Sequence, residues 1–211
     1  MNDRLIINLG RQMGSGGRRM AQYLAQMLDL KFYDKELIHE ASKDSGICKD
    51  CFEHADEKPQ KLWYSRFPFW GEPGFNGLSN DALFEIHYHT VQRLAKENNC
   101  IFVGRCTDYI LREDPACFNI FVHAPIEFRI ERLLKRKKEE APTEKAPSLE
   151  AIRQQIEKTD KTRAAYYNFY TDKIWGQADS YHLCIDTSLF GIEESARKVA
   201  GWIREQPKRQ A

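Results

Sequence analysis

The sequence predicts an α/β fold in three layers, a five-stranded parallel sheet flanked by helices. Three observations carry this expectation. Short apolar runs of strand length alternate with helix-period segments along the 211 residues. Those runs are apolar without a polar alternation, as in strands covered on both faces. The first run, Leu5 to Leu9, passes through a glycine cluster straight into a helical pattern, an arrangement suited to binding phosphate.

The elements follow in order. Leu5 to Leu9 reads as the central strand, and Met20, Leu24, Met27 and Leu28, with Tyr23 beside them, recur at helical spacing from Arg18 to Leu28. Lys31 to Tyr33 is a second strand ending at Asp34, and Lys35 to Ser42 is helical through Leu37, Ile38 and Ala41. Asp81 to Glu97 is a helix whose apolar face holds Leu83, Ile86, Val91, Leu94 and Ala95. Cys100 to Val103 is the third strand, running into Gly104-Arg105, and Phe118 to Val122 is the fourth. Pro125 then opens a helix that turns Ile126, Ile130, Leu133 and Leu134 inward, with Arg129, Arg132 and Arg136 as a basic stripe that is by default a solvated face, though a nearby lid could recruit one of its members. Lys135 to Pro147 is expected as a charged loop, Ser148 to Tyr170 as a long helix, Tyr181 to Ile185 as the fifth strand and Ile192 to Ile203 as a closing helix.

Composition bounds the function. With 42% hydrophobic residues the chain can bury one core, and a formal net charge of +1 provides no global field for nucleic acid or an anionic membrane. No apolar run approaches the roughly 18 residues that span a bilayer, and Met1-Asn2-Asp3-Arg4 leads into a strand, so a cytoplasmic protein is expected. Six dispersed cysteines, several in apolar runs, read as reduced and buried thiols.

The glycine cluster is Gly10-Arg11-Gln12-Met13-Gly14-Ser15-Gly16-Gly17-Arg18-Arg19. Glycines allow positive φ and bring backbone N–H groups close to an anion. The standard phosphate loop is Gly-x-x-x-x-Gly-Lys-Ser/Thr. With Gly16 as its second glycine, Arg11 falls on the first, Gly17 on the lysine and Arg18 on the hydroxyl residue. In a parallel sheet this loop shares one rim with Asp34, Gly104-Arg105 and Asp186-Thr187, because all of them follow strand ends. Glycine-rich backbone, a carboxylate and arginines on one rim suit an anionic nucleotide.

Other features are weaker. On the long helix, Ile152, Ile156, Tyr167 and Tyr170 share a face with Arg163, and Asp160 lies one turn earlier. Arg163 either pairs locally with Asp160 or projects toward phosphate, and spacing leaves both open. Cys48, Cys51 and His54 have ligand-like spacing without a matching second pair, so no metal site is expected. His87 and His89 read as structural or surface histidines. The aromatic stretch 46–80 (Phe52, Trp63, Tyr64, Phe67, Phe69, Trp70, Phe75) is either a substrate-covering insertion or an oligomer contact.

Several segments together resemble the cytidylate kinase-like family of P-loop nucleoside monophosphate kinases. They are Gly14-Ser15-Gly16-Gly17-Arg18, Phe32-Tyr33-Asp34-Lys35-Glu36-Leu37-Ile38, Val103-Gly104-Arg105-Cys106, Asp160 to Tyr167, and Tyr181 to Ser188. The resemblance implies a single P-loop kinase-like domain over 1–211, with an NMP-binding-type insertion at about 40–97 and a helical lid at about 135–175. It implies ATP- and magnesium-dependent phosphorylation of CMP, dCMP or a related small anionic acceptor, or a catalytically impaired nucleotide-binding relative. Carried over by position, Gly14, Ser15, Gly16, Gly17, Arg18 and Arg19 hold the donor phosphates. Asp34, Arg105 and Asp108 lie at the acceptor, and Asp186, Thr187 and Ser188 lie near the donor base. Arg163, Arg18 and Asp160 serve the transfer itself, with Lys161 beside them. The partners implied are small-molecule nucleotides, with a homo-oligomer through 46–80 as the other candidate contact.

Overall fold

The computed structural model describes residues 4–46, 80–143 and 147–206. Cys48, Cys51, His54 and nearly all of the aromatic stretch lie outside these. Five strands, β1 (Ile6–Arg11), β2 (Lys31–Tyr33), β3 (Cys100–Val103), β4 (Cys117–His123) and β5 (Leu183–Asp186), form one sheet in the order β2-β3-β1-β4-β5. All neighbouring pairs are parallel. The helices are α1 (Gly17–Leu28), α2 (Lys35–Ser45), α3 (Asn80–Glu97), α4 (Thr107–Ile110), α5 (Ile126–Glu140), α6 (Leu149–Thr171), α7 (Thr187–Phe190) and α8 (Ile192–Glu205).

The apolar runs become strands because both sheet faces are covered. Ile7, Leu9, Ile101 and Val103 pack with Met20, Leu24, Val199 and Ile203 of α1 and α8. Their alternates Ile6, Cys100 and Phe102 pack on the other face with Leu37, Val91, Leu94 and Ile110. The period of two thus divides each strand between two cores. Inside the sheet, Asn8 Nδ2 donates to Asn119 Oδ1 at 2.9 Å, and the two residues are register partners across β1 and β4. A one-residue slip would break this pair, so it adds polar specificity to a register otherwise set by apolar pattern.

A third cluster, Ile130, Leu133, Ile152 and Ile156, joins α5 to α6. Ser148 caps α6, its Oγ accepting the Ala151 N–H at 3.1 Å. α5 continues to Glu140, where a charged loop was expected from Lys135 onward. Its last turns carry no apolar signal and are stabilised on the surface by pairs such as Arg136–Glu140 at i,i+4.

Strand order places the site. β2 and β3 lie on one side of β1, and β4 and β5 on the other, so the direction of winding reverses at β1. β1 runs two residues beyond Leu9, because β4 continues beside it and pairs Gly10 with Phe121 and Arg11 with Val122. Arg11 therefore projects from the carboxyl end of the central strand rather than from a free loop.

Candidate functional site

The glycine loop is a braced structure. Gly14 and Gly16 take φ of 82° and 87°. A Cβ on Gly14 would meet Arg129 Cβ at 2.9 Å, and one on Gly16 would meet Ile192 Cδ1 at 2.5 Å, so both conformation and space require glycine. Buried Ser15 turns its Oγ back to donate to the Gln12 carbonyl at 2.9 Å and to accept the Gly17 N–H at 3.3 Å. From the far side, Thr187 Oγ1 donates to the Ser15 carbonyl at 2.6 Å. α1 begins at Gly17, and its early N–H groups precede the first intrahelical acceptor, so they face the loop with the positive end of the helix dipole.

Arginines surround this loop. Arg129 was expected on a solvated stripe, but it is buried and donates from Nη1 to Asp160 Oδ2 at 2.6 Å. Arg132 Nη1 reaches the Gly14 carbonyl at 3.4 Å, and of the three only Arg136 remains a surface group. The signal was in the spacing: Arg129 lies three residues after Ile126 and four before Leu133, on the inward face. Asp160 also accepts the Met13 N–H at 2.7 Å through Oδ1, so its main bonds run to the loop and to Arg129, with Arg163 more distant at 3.9 Å.

Four further guanidinium groups meet around Asp34. Arg18 Nε lies 2.7 Å from Asp34 Oδ2, and Arg11 Nη2 lies 3.5 Å from Oδ1. Arg163 donates from Nη1 to the Arg11 carbonyl at 3.2 Å, and Arg105 interacts electrostatically with Arg11, Arg163 and Asp34. Burial, and then the neighbouring charge of Arg163, push Arg11 down to about 9, which leaves it a cation at neutral pH. Burial likewise lowers Arg105 and Arg163. Asp34 thus faces four guanidinium groups, of which Arg163 also has Asp160 at 3.9 Å, and the surplus is positive. Such a surplus held in half-buried space favours an anion.

Arg105 is presented by a strained turn. Gly104, Arg105 and Cys106 take φ of 81°, 64° and 54°, three left-handed residues in succession of which only the first is glycine. Each non-glycine member costs on the order of 1 kcal/mol or more, and such strain concentrates at functional sites. The Gly104 N–H donates to the Leu9 carbonyl at 3.0 Å, fixing this turn beside the end of β1.

The remaining expected residues separate. Arg19 is exposed and stacks over the Tyr23 ring at 5.4 Å, apart from the cluster around Asp34. Asp108 is buried and accepts a hydrogen bond from Tyr167 Oη at 2.6 Å, joining the turn after β3 to α6. Burial raises its carboxyl, although the Tyr167 bond opposes the shift. Asp186 caps α7 by accepting the Ser188 N–H at 2.8 Å, and Lys161 is exposed. His87 is buried, while His89 is exposed. Cys100, Cys106 and Cys117 are buried cysteines outside any disulfide, and burial pushes Cys100 up to about 12. Among the described residues no group of three or more metal-ligating side chains occurs, and no helix is long and apolar enough to cross a membrane.

The model of the cytidylate kinase-like family matches residues 6–189, from β1 through α7. The chain belongs to the cytidylate kinase-like family. That span includes the glycine loop, Asp34, the Gly104–Cys106 turn and Arg163. No curated protein matches it. Among solved structures, an uncharacterized protein from Eubacterium ventriosum superposes with a TM-score of 0.70 at 21% identity, covering 96% of this chain and 100% of its own. Shikimate kinase from Bacteroides thetaiotaomicron follows at 0.54 and 14%, covering 95% and 98%. Shikimate kinase from Acinetobacter baumannii, solved with shikimate, gives 0.51 and 16%, covering 95% and 93%. These likenesses are of fold, and they place this family member among P-loop kinase architectures.

Proposed function

We propose that this cytidylate kinase-like protein transfers the γ-phosphoryl group of ATP to a nucleoside monophosphate, with CMP or dCMP as the leading acceptors. The observation that supports it most is the meeting of Arg11, Arg18, Arg105 and Arg163 at one carboxylate, Asp34, beside a braced glycine loop. Phosphoryl transfer asks mainly for positioning and charge neutralisation, and guanidinium forks supply both.

In this reading the N–H groups of residues 14–17 and the start of α1 hold the donor phosphates. Arg105 and Asp34 hold the acceptor, with Asp108 behind them, and Asp186 to Ser188 border the donor base. Arg163, from a lid formed around α5 and α6, neutralises charge on the group in transit, while Asp160 keeps the loop in position. An acceptor phosphate oxygen attacks the γ-phosphorus, the bond to the bridging oxygen breaks, and ADP leaves.

The loop and its cations fit a nucleotide triphosphate. They do not form a magnesium site of their own, since the hydroxyl position is Arg18, and Asp34 and Asp160 are both engaged by guanidinium groups. Magnesium would enter with ATP, held by phosphate oxygens and water.

Coupled ADP release, measured with magnesium across CMP, dCMP, UMP, AMP and GMP, tests the proposal. Acceptor-dependent ADP release led by a cytidine nucleotide is expected. Folded protein that releases no ADP above background with any acceptor would overturn it, and nucleotide-dependent thermal stabilisation without turnover would mark a binding protein instead.

A further inference from the structure

The standard phosphate loop has glycine at its first position and lysine directly after its last glycine; this chain has Arg11 and Gly17 at those two places. The structure shows that they are spatial neighbours. A Cβ placed on Gly17 would lie 2.6 Å from Arg11 Cβ and 3.2 Å from its Cγ, so a side chain at 17 cannot coexist with the observed Arg11. The Arg11 side chain then extends to Gly104, where a Cβ would overlap Nη1. Its guanidinium therefore lies between the start of α1 and the end of β3, alongside Asp34, Arg105 and Arg163.

We infer that Arg11 is the cation that replaces the phosphate-loop lysine, its long side chain reaching from the end of β1 into the space a lysine at 17 would fill. The two departures from the standard loop are then one change: the cation has moved from the helix start to the strand end, and the glycine has moved the other way. Three features of the structure support this over a purely structural salt bridge. Asp34 is already bonded to Arg18 at the shorter distance of 2.7 Å, so it does not neutralise Arg11 fully. Arg163 is held against the Arg11 carbonyl, adding positive charge beside it. Two small residues, Gly17 and Gly104, clear the path of the side chain. Arg18 and Arg19, which the sequence alone favours for this duty, are paired with Asp34 and stacked on Tyr23.

This assignment rests on the nucleotide-kinase reading above. Its test is calorimetric titration of a non-hydrolysable ATP analogue into the full chain, into Arg11→Met, into Gly17→Lys and into the exchange Arg11→Gly with Gly17→Lys, each checked for cooperative thermal unfolding. Arg11→Met should bind about tenfold or more weakly, because it keeps volume and loses a charge-assisted bond. Gly17→Lys alone should unfold at lower temperature, since the new side chain meets Arg11. The exchange should restore binding to within about threefold of the native chain, the strong non-additivity expected of neighbours sharing one role. Native-like affinity in Arg11→Met, or a folded exchange variant that binds no better than Arg11→Met, would overturn the assignment and leave the kinase reading standing. If the native chain itself does not bind the analogue, both fall. Should Arg11→Met not fold, the exchange variant alone decides.

Discussion

Asp160 accepts the backbone N–H of Met13 at 2.7 Å although 147 residues separate them, and its other carboxylate oxygen holds Arg129 at 2.6 Å. One side chain of α6 therefore fixes both the glycine loop and a buried cation. Removing it leaves Arg129 without its counter-charge, which should cost about 3–5 kcal/mol. Asp160→Ala is expected to lower the unfolding free energy measured by urea titration by that amount, and Asp160→Asn, which keeps an acceptor for Met13, by less. A double-mutant cycle with Arg129→Met should show strong coupling, whereas additive losses would mean that the two groups act independently.

Arg105 stands on the left-handed turn after β3 and belongs, in the proposed site, to the acceptor. Arg105→Ala should weaken acceptor affinity about 10–100-fold, the range of a lost charge-assisted phosphate contact. Arg105→Lys should restore little, since a point charge does not reproduce the planar fork. Acceptor titrations monitored beside circular dichroism would check this, and unchanged affinity would remove Arg105 from the site.

Much of this arrangement was legible in the sequence, and the gaps have physical causes. The strands and main helices follow from apolar period, and the rim follows from parallel topology, so Arg18, Asp34 and Arg105 could be grouped before any coordinates, whereas Arg163 joined them only through the family resemblance. The extension of β1 through Arg11 was not legible, because it depends on a partner strand more than a hundred residues away. Nor was the end of α5, whose last turns are polar all round. Arg129 was misplaced because arginines beside a charged run read as a solvated face, yet its position between Ile126 and Leu133 carried the inward signal. The role of Asp160 as a brace required the loop and α6 to be seen together.

Asp108 supplies a test that separates stability from binding. Burial raises its carboxyl above the ordinary Asp range of about 3.9. Between those two values the native state binds more protons than the unfolded chain, so this group stabilises the fold at low pH and that contribution is lost as pH rises through the raised value. Asp108→Asn retains an acceptor for Tyr167 and should be at least as stable as the native chain at pH 7, with the difference shrinking on acidification. If Asp108 also serves the acceptor, the same variant should bind CMP more weakly. Thermal scans across pH, paired with CMP titration, measure both.

His87 acts in the opposite sense. Burial lowers it to about 4, so the unfolded chain takes up a proton near 6.5 while the native state does not. Its contribution is present above pH 6.5 and is lost as pH falls toward 4, about 3 kcal/mol in all. Denaturant titrations of the native chain and His87→Leu should therefore differ most in slope between pH 6.5 and 4. Parallel profiles would show that His87 does not contribute to acid sensitivity.

Labelled phosphate distinguishes transfer from binding alone. With ATP carrying a radiolabelled γ-phosphate, magnesium and CMP, the native chain should place the label in CDP, and Arg163→Ala should slow that appearance sharply. Label that remains in ATP, or that appears only as inorganic phosphate regardless of acceptor, would mean that the protein does not phosphorylate CMP.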